Sequence, residues 1–204
     1  ASTCAPGLPS AVIRAVLADF KREYPDVRTV MHDAADSSLI QRVLSEDVEF
    51  SIGFFEHEPE AVARMPLIVD HLCAVCTKDS PLARKKRVTW EDLRQQPIIN
   101  LTRGTQVQQI VSDALASTGG AHRPVYEITF VQTALALAGQ GLGVVVVPGY
   151  LVKGHPQLAS LAAKQLHDPL IERSLLVHTR QGHTLSAPAT TFLDMVRDHL
   201  QRLP

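Results

Sequence analysis

Residues 2–24 read STCAPGLPSAVIRAVLADFKREY, and the fold is decided in this stretch. It opens with small hydroxyl and thiol residues and two prolines, then turns amphipathic. Val12, Ile13, Val16, Leu17, Phe20 and Tyr24 recur at helical spacing, with Arg14, Asp19, Lys21 and Glu23 on the other side. Pro6 and Pro9 suit a loop or a first helical turn, where a missing N–H costs little. Ser2, Thr3 and Cys4 are therefore expected at or just before a helix N-terminus. Free backbone N–H groups and a partial positive charge there make a seat for a carboxylate or another small anion. The plainer reading is that Ser2 or Thr3 only caps the helix.

Outward from this stretch, strand and helix signals alternate. Pro25-Asp26 breaks the first helix and Val27 to Met31 reads as a strand. Asp36-Ser37-Ser38 starts a second helix with Leu39, Ile40, Val43 and Leu44 as its buried stripe. Phe50, Ile52 and Phe54 alternate around a third strand. Met65 to Thr77 is an extended run too long for one compact strand, a candidate crossing between domains. Thr89-Trp90-Glu91-Asp92 is a capping box in its Asp form, with Trp90 as an apolar anchor. Ile98-Ile99 leads into Asn100 to Thr105, a polar loop ahead of a helix that stops at Gly119-Gly120. Val125 to Thr129 is a strand, Val131 to Ala138 a small apolar helix ended by glycines, and Val144 to Val147 a strand buried on both faces. Gln165 to Pro169 is a second candidate crossing. Ser174 to Thr179 is a strand, and Ser186 caps a last helix that buries Phe192, Leu193, Val196 and Leu200. Alternation from end to end implies parallel sheets with right-handed crossovers, an α/β fold. With only Ala1 ahead of the first loop, a strand is expected upstream of this sequence.

The bulk numbers narrow the function. In 204 residues, 45% of them hydrophobic, there is a core for one large or two small domains. A net charge of −1 gives no polyanion-binding surface overall. The longest apolar runs are too short to span a bilayer, and no secretory signal pattern is read. Three cysteines fit a reducing compartment. Cys73 and Cys76 form CAVC, but on a strand residues three apart face opposite sides, so neither a redox nor a zinc site is expected. The histidines are scattered, so no metal or cofactor is expected. The basic run Arg84 to Arg87 is read as a solvated loop rather than a nucleic-acid contact.

Loops after strands gather at one edge of a parallel sheet, and ligands bind there. Four such loops carry hydroxyl or amide groups near a helix start: Ser2-Thr3, Ser37-Ser38, Thr102 to Gln106, and Thr129-Phe130. None holds paired carboxylates, a P-loop or a defensible Ser–His–Asp set. GQGLG, residues 139–143, follows a helix and precedes a strand, the reverse of a dinucleotide fingerprint. A binding cleft without chemistry is the better reading. Arg103 is the one cation in these loops and a candidate counter-charge for an anion, or else a solvent-facing arginine. Cys4 is read as a packing residue rather than a reactive thiol, and His71 as a hinge histidine.

Five stretches in order carry a family resemblance: LPSAVIRAVLADFKREYPDV, VLSEDVEFSIGF, KDSPLARKKRVTWEDL, ALALAGQGLGVVVVP and LSAPATTFLDMVRDHL. The chain resembles the effector-binding domain of LysR-type transcriptional regulators over essentially its whole length. The resemblance implies two Rossmann-like subdomains of the periplasmic-binding-protein type II fold joined by two crossing strands, residues 1–69 with 168–204 and residues 72–165. It implies a small-molecule effector in the cleft between them, here a small organic anion, and no catalytic residue. By position it implies Ser2, Ser37 or Ser38, and the loop Thr102 to Gln106 with Arg103 and Thr105 as ligand contacts, to which the loop pattern adds Thr3, Thr129 and Phe130. It further implies a cytoplasmic homodimer, with a tetramer open for the full-length protein, and an N-terminal winged helix-turn-helix outside this sequence that alone contacts DNA. Phe50-Ser51 departs from the Leu-Asp frequent in the family. A free-standing solute-binding protein or an enzyme on the same fold is the alternative.

Overall fold

The structure is a computed structural model that describes residues 2–4, 8, 10–32, 36–54, 59–102, 106–119, 124–153 and 160–203. In chain order the elements begin with β1 (Ser2–Cys4), α1 (Ser10–Glu23), β2 (Val30–His32), α2 (Asp36–Leu44), β3 (Phe50–Gly53) and the long β4 (Val62–Thr77). Next come α3 (Pro81–Arg84), β5 (Val88–Thr89), α4 (Trp90–Arg94), β6 (Ile98–Leu101), α5 (Gln106–Ser117), β7 (Tyr126–Ile128) and α6 (Val131–Gly139). The chain ends with β8 (Val144–Pro148), α7 (Gly149–Val152), β9 (Leu161–His167), β10 (Glu172–Arg180) and α8 (Ala187–Gln201). Contacts divide it into two units, Ala1–Val69 with Arg173–Pro204, and Asp70–Glu172.

In the first unit the strands run in the order β2-β1-β3-β10-β4. β1 is parallel to β2 and β3, and β10 is antiparallel to β3. The start of the chain corrects the expectation of a loop there. Ser2, Thr3 and Cys4 form a strand, with Thr3 opposite both Met31 and Phe50. Pairing on both sides satisfies the backbone of a three-residue segment that shows no hydrophobic alternation of its own. The strand expected upstream is thus met by Ser2–Cys4, and α1 begins only at Ser10.

Helix α1 buries Val12, Val16 and Phe20, one every fourth residue. Phe20 meets Phe192 of α8 edge-on, with ring centroids 5.3 Å apart, and Tyr24 Oη lies 3.0 Å from Thr191 Oγ1. The α8 start is closed by Ser186, whose Oγ accepts from Ala189 N, with Pro188 in the first turn. Leu39, Ile40 and Val43 of α2 pack with Val48 and Val62. Each such side chain contributes about 1.5–3 kcal/mol on burial.

In the second unit the order is β9-β4-β8-β6-β7, with β5 added beside β9. β6 is parallel to β7 and β8, whereas β4 runs antiparallel to β8 and β9. The sheets are therefore mixed, with a parallel core and antiparallel returning strands. β8 is buried along its length, as the valine run predicts. Val144 and Val146 face a cluster with Cys76, Trp90, Leu93 and Ile98, and Val145 and Val147 face another with Cys73, Ile99, Leu135 and Ala138. Cys73 and Cys76 thus lie on opposite faces. Burial pushes both thiols up, Cys73 to about 12 with Asp70 adding to the rise.

The capping box holds: Asp92 N donates to Thr89 Oγ1 and Thr89 N to Asp92 Oδ2. Trp90 is fully buried, and its Nε1 donates to Pro169 O at 2.9 Å. In the basic run, Lys85 pairs with Asp92 at 2.6 Å and Arg87 with Asp168 at 2.5 Å, at exposed positions. Among the described residues no helix is long and apolar enough to cross a membrane.

Candidate functional site

Of the expected ligand loops, Ser2-Thr3 falls within β1, and the other three follow β2, β6 and β7. Two of them meet. β6 and β7 are parallel neighbours with Leu101 opposite Ile128, so the residues one step beyond, Thr102 and Thr129, leave the sheet together. Thr102 N donates to Ile128 O at 3.0 Å, and the Thr102 and Thr129 hydroxyl oxygens share a hydrogen bond of 3.0 Å. Both threonines are exposed. Helix α5 starts at Gln106, just past the first loop, and α6 at Val131, just past the second. Phe130 is the N-cap residue of α6 and gives it no side-chain hydrogen bond. Neither helix carries an acidic residue in its first turn. The edge therefore presents two hydroxyls beside two helix starts whose first turns hold no carboxylate, an arrangement that favours an anion over a cation.

The remaining candidates are placed as follows. Arg103 and Thr105 lie outside the described residues, as does the side chain of Gln106. In the first unit, Ser37 and Ser38 stand in the first turn of α2, as expected, and Ser38 is exposed. Ser2 and Thr3 are strand residues of β1 rather than loop residues at a helix start, and their side chains lie outside the described residues. His71 is half-buried within β4, and the Cys4 side chain lies outside the described residues.

Several polar groups escaped the sequence reading. Asp70 is buried and accepts from Tyr150 N at 3.1 Å, at the start of α7. Ser51 is fully buried on β3 opposite His178 on β10, and its Oγ has no hydrogen-bond partner among the described residues. Burial pushes the His178 imidazole down to about 4, with Arg64 adding to the fall, so it is neutral. The departure at Phe50-Ser51 was the one sequence signal for this pair. A groove of about 470 Å³ beside α1 and α8 is lined by Asp19, Arg22, Glu23, Met195, Asp198, His199 and Arg202. There His199 Nε2 lies 2.9 Å from Asp19 Oδ2, and the hydrogen bonds from His199 and then Arg22 hold the Asp19 carboxyl below its usual range. No group of three metal-ligating side chains occurs among the described residues.

Comparison with known proteins agrees with this architecture. Residues 3–201 match the family described as LysR substrate binding domain. The chain is 24% identical over 192 residues to the uncharacterized HTH-type transcriptional regulator YbhD of Escherichia coli (strain K12), covering 93% of this chain and 60% of that protein. It spans about 60% of the length of the curated relatives it matches. Among solved structures, it is similar to the regulatory domain of Synechocystis PCC6803 CcmR in complex with 2-PG, with a TM-score of 0.81 and 18% identity over 100% of this chain and 98% of that one. It is also similar to the C-terminal domain of a probable LysR family transcriptional regulator from Rhodococcus sp. RHA1, with a TM-score of 0.78 and 21% identity over 96% of each chain. At these identities the structural likeness speaks for the fold. With a family match from residue 3 to residue 201, the chain belongs to the LysR substrate binding domain family and has its periplasmic-binding-protein type II α/β fold.

Proposed function

We propose that this chain senses a small organic anion, most simply a carboxylate, and that its ligand state sets the output of a LysR-type transcriptional regulator. The observation that carries the reading is the 3.0 Å hydroxyl pair of Thr102 and Thr129, set where two parallel strands end and two helices begin. Hydroxyl and backbone N–H donors to a carboxylate contribute about 1.5–3 kcal/mol each. Three or four of them support binding near the micromolar range after the cost of ordering the site. The first turn of α2, with Ser37 and Ser38, is the counterpart donor set in the first unit. Catalysis forms no part of this role. The regulator works in the cytoplasm as a homodimer, and a helix-turn-helix segment outside this sequence carries DNA binding. Relatives named as HTH-type regulators, all longer than this chain, support that assignment. A ligand changes output only by binding one conformation better than another.

Calorimetry with a panel of small acids tests the site. The tightest acid should lose about tenfold or more in affinity on Thr102→Ala combined with Thr129→Ala, the worth of roughly one charge-assisted hydrogen bond. Equal affinity for wild type and double variant would place the ligand elsewhere.

A further inference from the structure

Four adjacent cations, Arg84, Lys85, Lys86 and Arg87, lie at the end of α3 and just past it, and all are exposed. Along the chain such a run is an ordinary solvated loop. The fold adds a fifth cation to it: Lys164 of β9 donates from Nζ to Lys85 O at 3.0 Å, across 79 positions. Two carboxylates answer the five. Asp92 pairs with Lys85 and Asp168 with Arg87. No ion pair engages Arg84 or Lys86 among the described residues. Lys78 and Asp79 ahead of α3 cancel, as do Glu91 and Arg94, which pair at 3.5 Å. This corner of the second unit therefore carries an excess of three positive charges, in a chain whose net charge is −1. The two pairs are exposed, so they are weak and leave Lys85 and Arg87 open to a competing anion.

The apolar side chains of the same stretch, Leu82, Val88, Trp90 and Leu93, are buried. Leu170, two residues past Asp168, adds one half-exposed apolar group, which is ordinary. A protein partner calls for apolar anchors at the centre of the contact, and a single nucleic-acid strand for exposed aromatic rings. Cations without either suit the regularly spaced phosphates of a duplex.

We propose that Arg84, Lys85, Lys86, Arg87 and Lys164 form a contact surface for the phosphate backbone of duplex DNA. The contact reads no base sequence, which stays with the helix-turn-helix segment outside this sequence. It rests on the chain being part of a DNA-binding regulator and is independent of the acid site at Thr102 and Thr129. Once that segment holds its site, flanking duplex is present at high effective concentration, so a contact too weak to capture free DNA still adds to the whole.

The test titrates the chain into a labelled 20-base-pair duplex of arbitrary sequence, followed by fluorescence anisotropy from 25 to 100 mM KCl. About three phosphates neutralised give a slope of log affinity against log salt near −3, a loss of about 40-fold over that range. Arg84→Gln with Lys86→Gln should weaken binding about tenfold or more and bring the slope towards −1. Arg84→Lys with Lys86→Arg keeps the charge and should bind as wild type does. Arg197→Gln with Arg202→Gln removes two exposed cations from α8 and should stay within about threefold of wild type. Melting curves confirm that each variant folds, since all four positions are exposed or half-exposed. No binding at 25 mM KCl, or equal weakening by the two charge-removing doubles, overturns the inference and leaves the regulator and its acid site standing. Tighter binding of poly-glutamate than of a duplex of equal charge also overturns it, in favour of an acidic protein partner.

Discussion

Gly143→Ala should be the most damaging single-methyl change in the second unit, and the reason is a close approach rather than a backbone angle. A Cβ there would stand 2.7 Å from Pro97 O, 3.1 Å from Ile99 Cγ1 and 3.3 Å from Pro97 C. The nearest atom is backbone, and it is held: Val144 N donates to Pro97 O at 2.8 Å. Relieving the clash means moving β8 away from β6, which stretches that bond and disturbs Ile99, itself 1% exposed. Overpacking of this kind costs about 1–3 kcal/mol, and a weakened buried hydrogen bond adds about 0.5–1.5 kcal/mol. We expect a loss of about 2–4 kcal/mol, or about 5–15 °C in Tm for a chain of this size. Trp90 is the single tryptophan, is fully buried in this unit, and reports its unfolding in urea by fluorescence. Two neighbours in the same motif are controls. Gly139→Ala meets only Leu161 Cδ2 at 3.5 Å, an ordinary contact, and should be neutral or mildly stabilising. Gly141→Ala has room, its nearest atom being at 3.9 Å, but must hold φ at +73°, at about 1–2 kcal/mol. Gly143→Ala within about 0.5 kcal/mol of wild type, or no worse than Gly139→Ala, would refute the reasoning.

Two further outcomes follow from the structure. His178 is neutral in the folded chain to about pH 4, whereas the unfolded chain protonates it near 6.5. Its contribution is therefore complete above pH 6.5 and is lost as pH falls from 6.5 to 4, by about 3 kcal/mol in all. Urea melts at pH 7.5 and pH 5 should show a smaller pH effect in His178→Gln than in wild type, and an equal effect would assign the acid sensitivity to other groups. For the homodimer, light scattering should return twice the 22.3 kDa of one chain, and a persistent monomer mass at high concentration would rule the pairing out.

Much of the fold is legible because most of its signals are local. The valine run of β8, the capping box at Thr89, the stripe of α1 and the opposed cysteines of β4 each follow from side-chain period or cap chemistry within a few residues. Where the outcome depends on pairing with distant strands, the reading fails or falls short. Ser2–Cys4 has no alternation and sits ahead of two prolines, so it reads as loop. It is a strand because Val30–His32 and Phe50–Ser51 lie on either side of it. The antiparallel sense of β10 against β3, and of β4 against β8, is likewise a matter of chain path, which no local period encodes.

The site divides along the same line. Thr102 and Thr129 could each be picked out as a hydroxyl just past a strand, yet nothing near either residue says that they touch across 27 positions. What joins them is the parallel register of β6 and β7, with Leu101 opposite Ile128. The same dependence on register produced Ser51. Its sequence neighbours Phe50 and Ile52 are plain core residues, and only the alignment with His178 and Cys4 on adjacent strands reveals a polar residue in mid-sheet. A buried hydroxyl without a partner costs about 1–3 kcal/mol, and an exposed hydroxyl pair at a strand edge costs almost nothing. Residue type is therefore a weak guide to function in this chain. A threonine becomes an exposed hydroxyl, and a serine an internal polar group, only once strand register has decided which of them meets solvent.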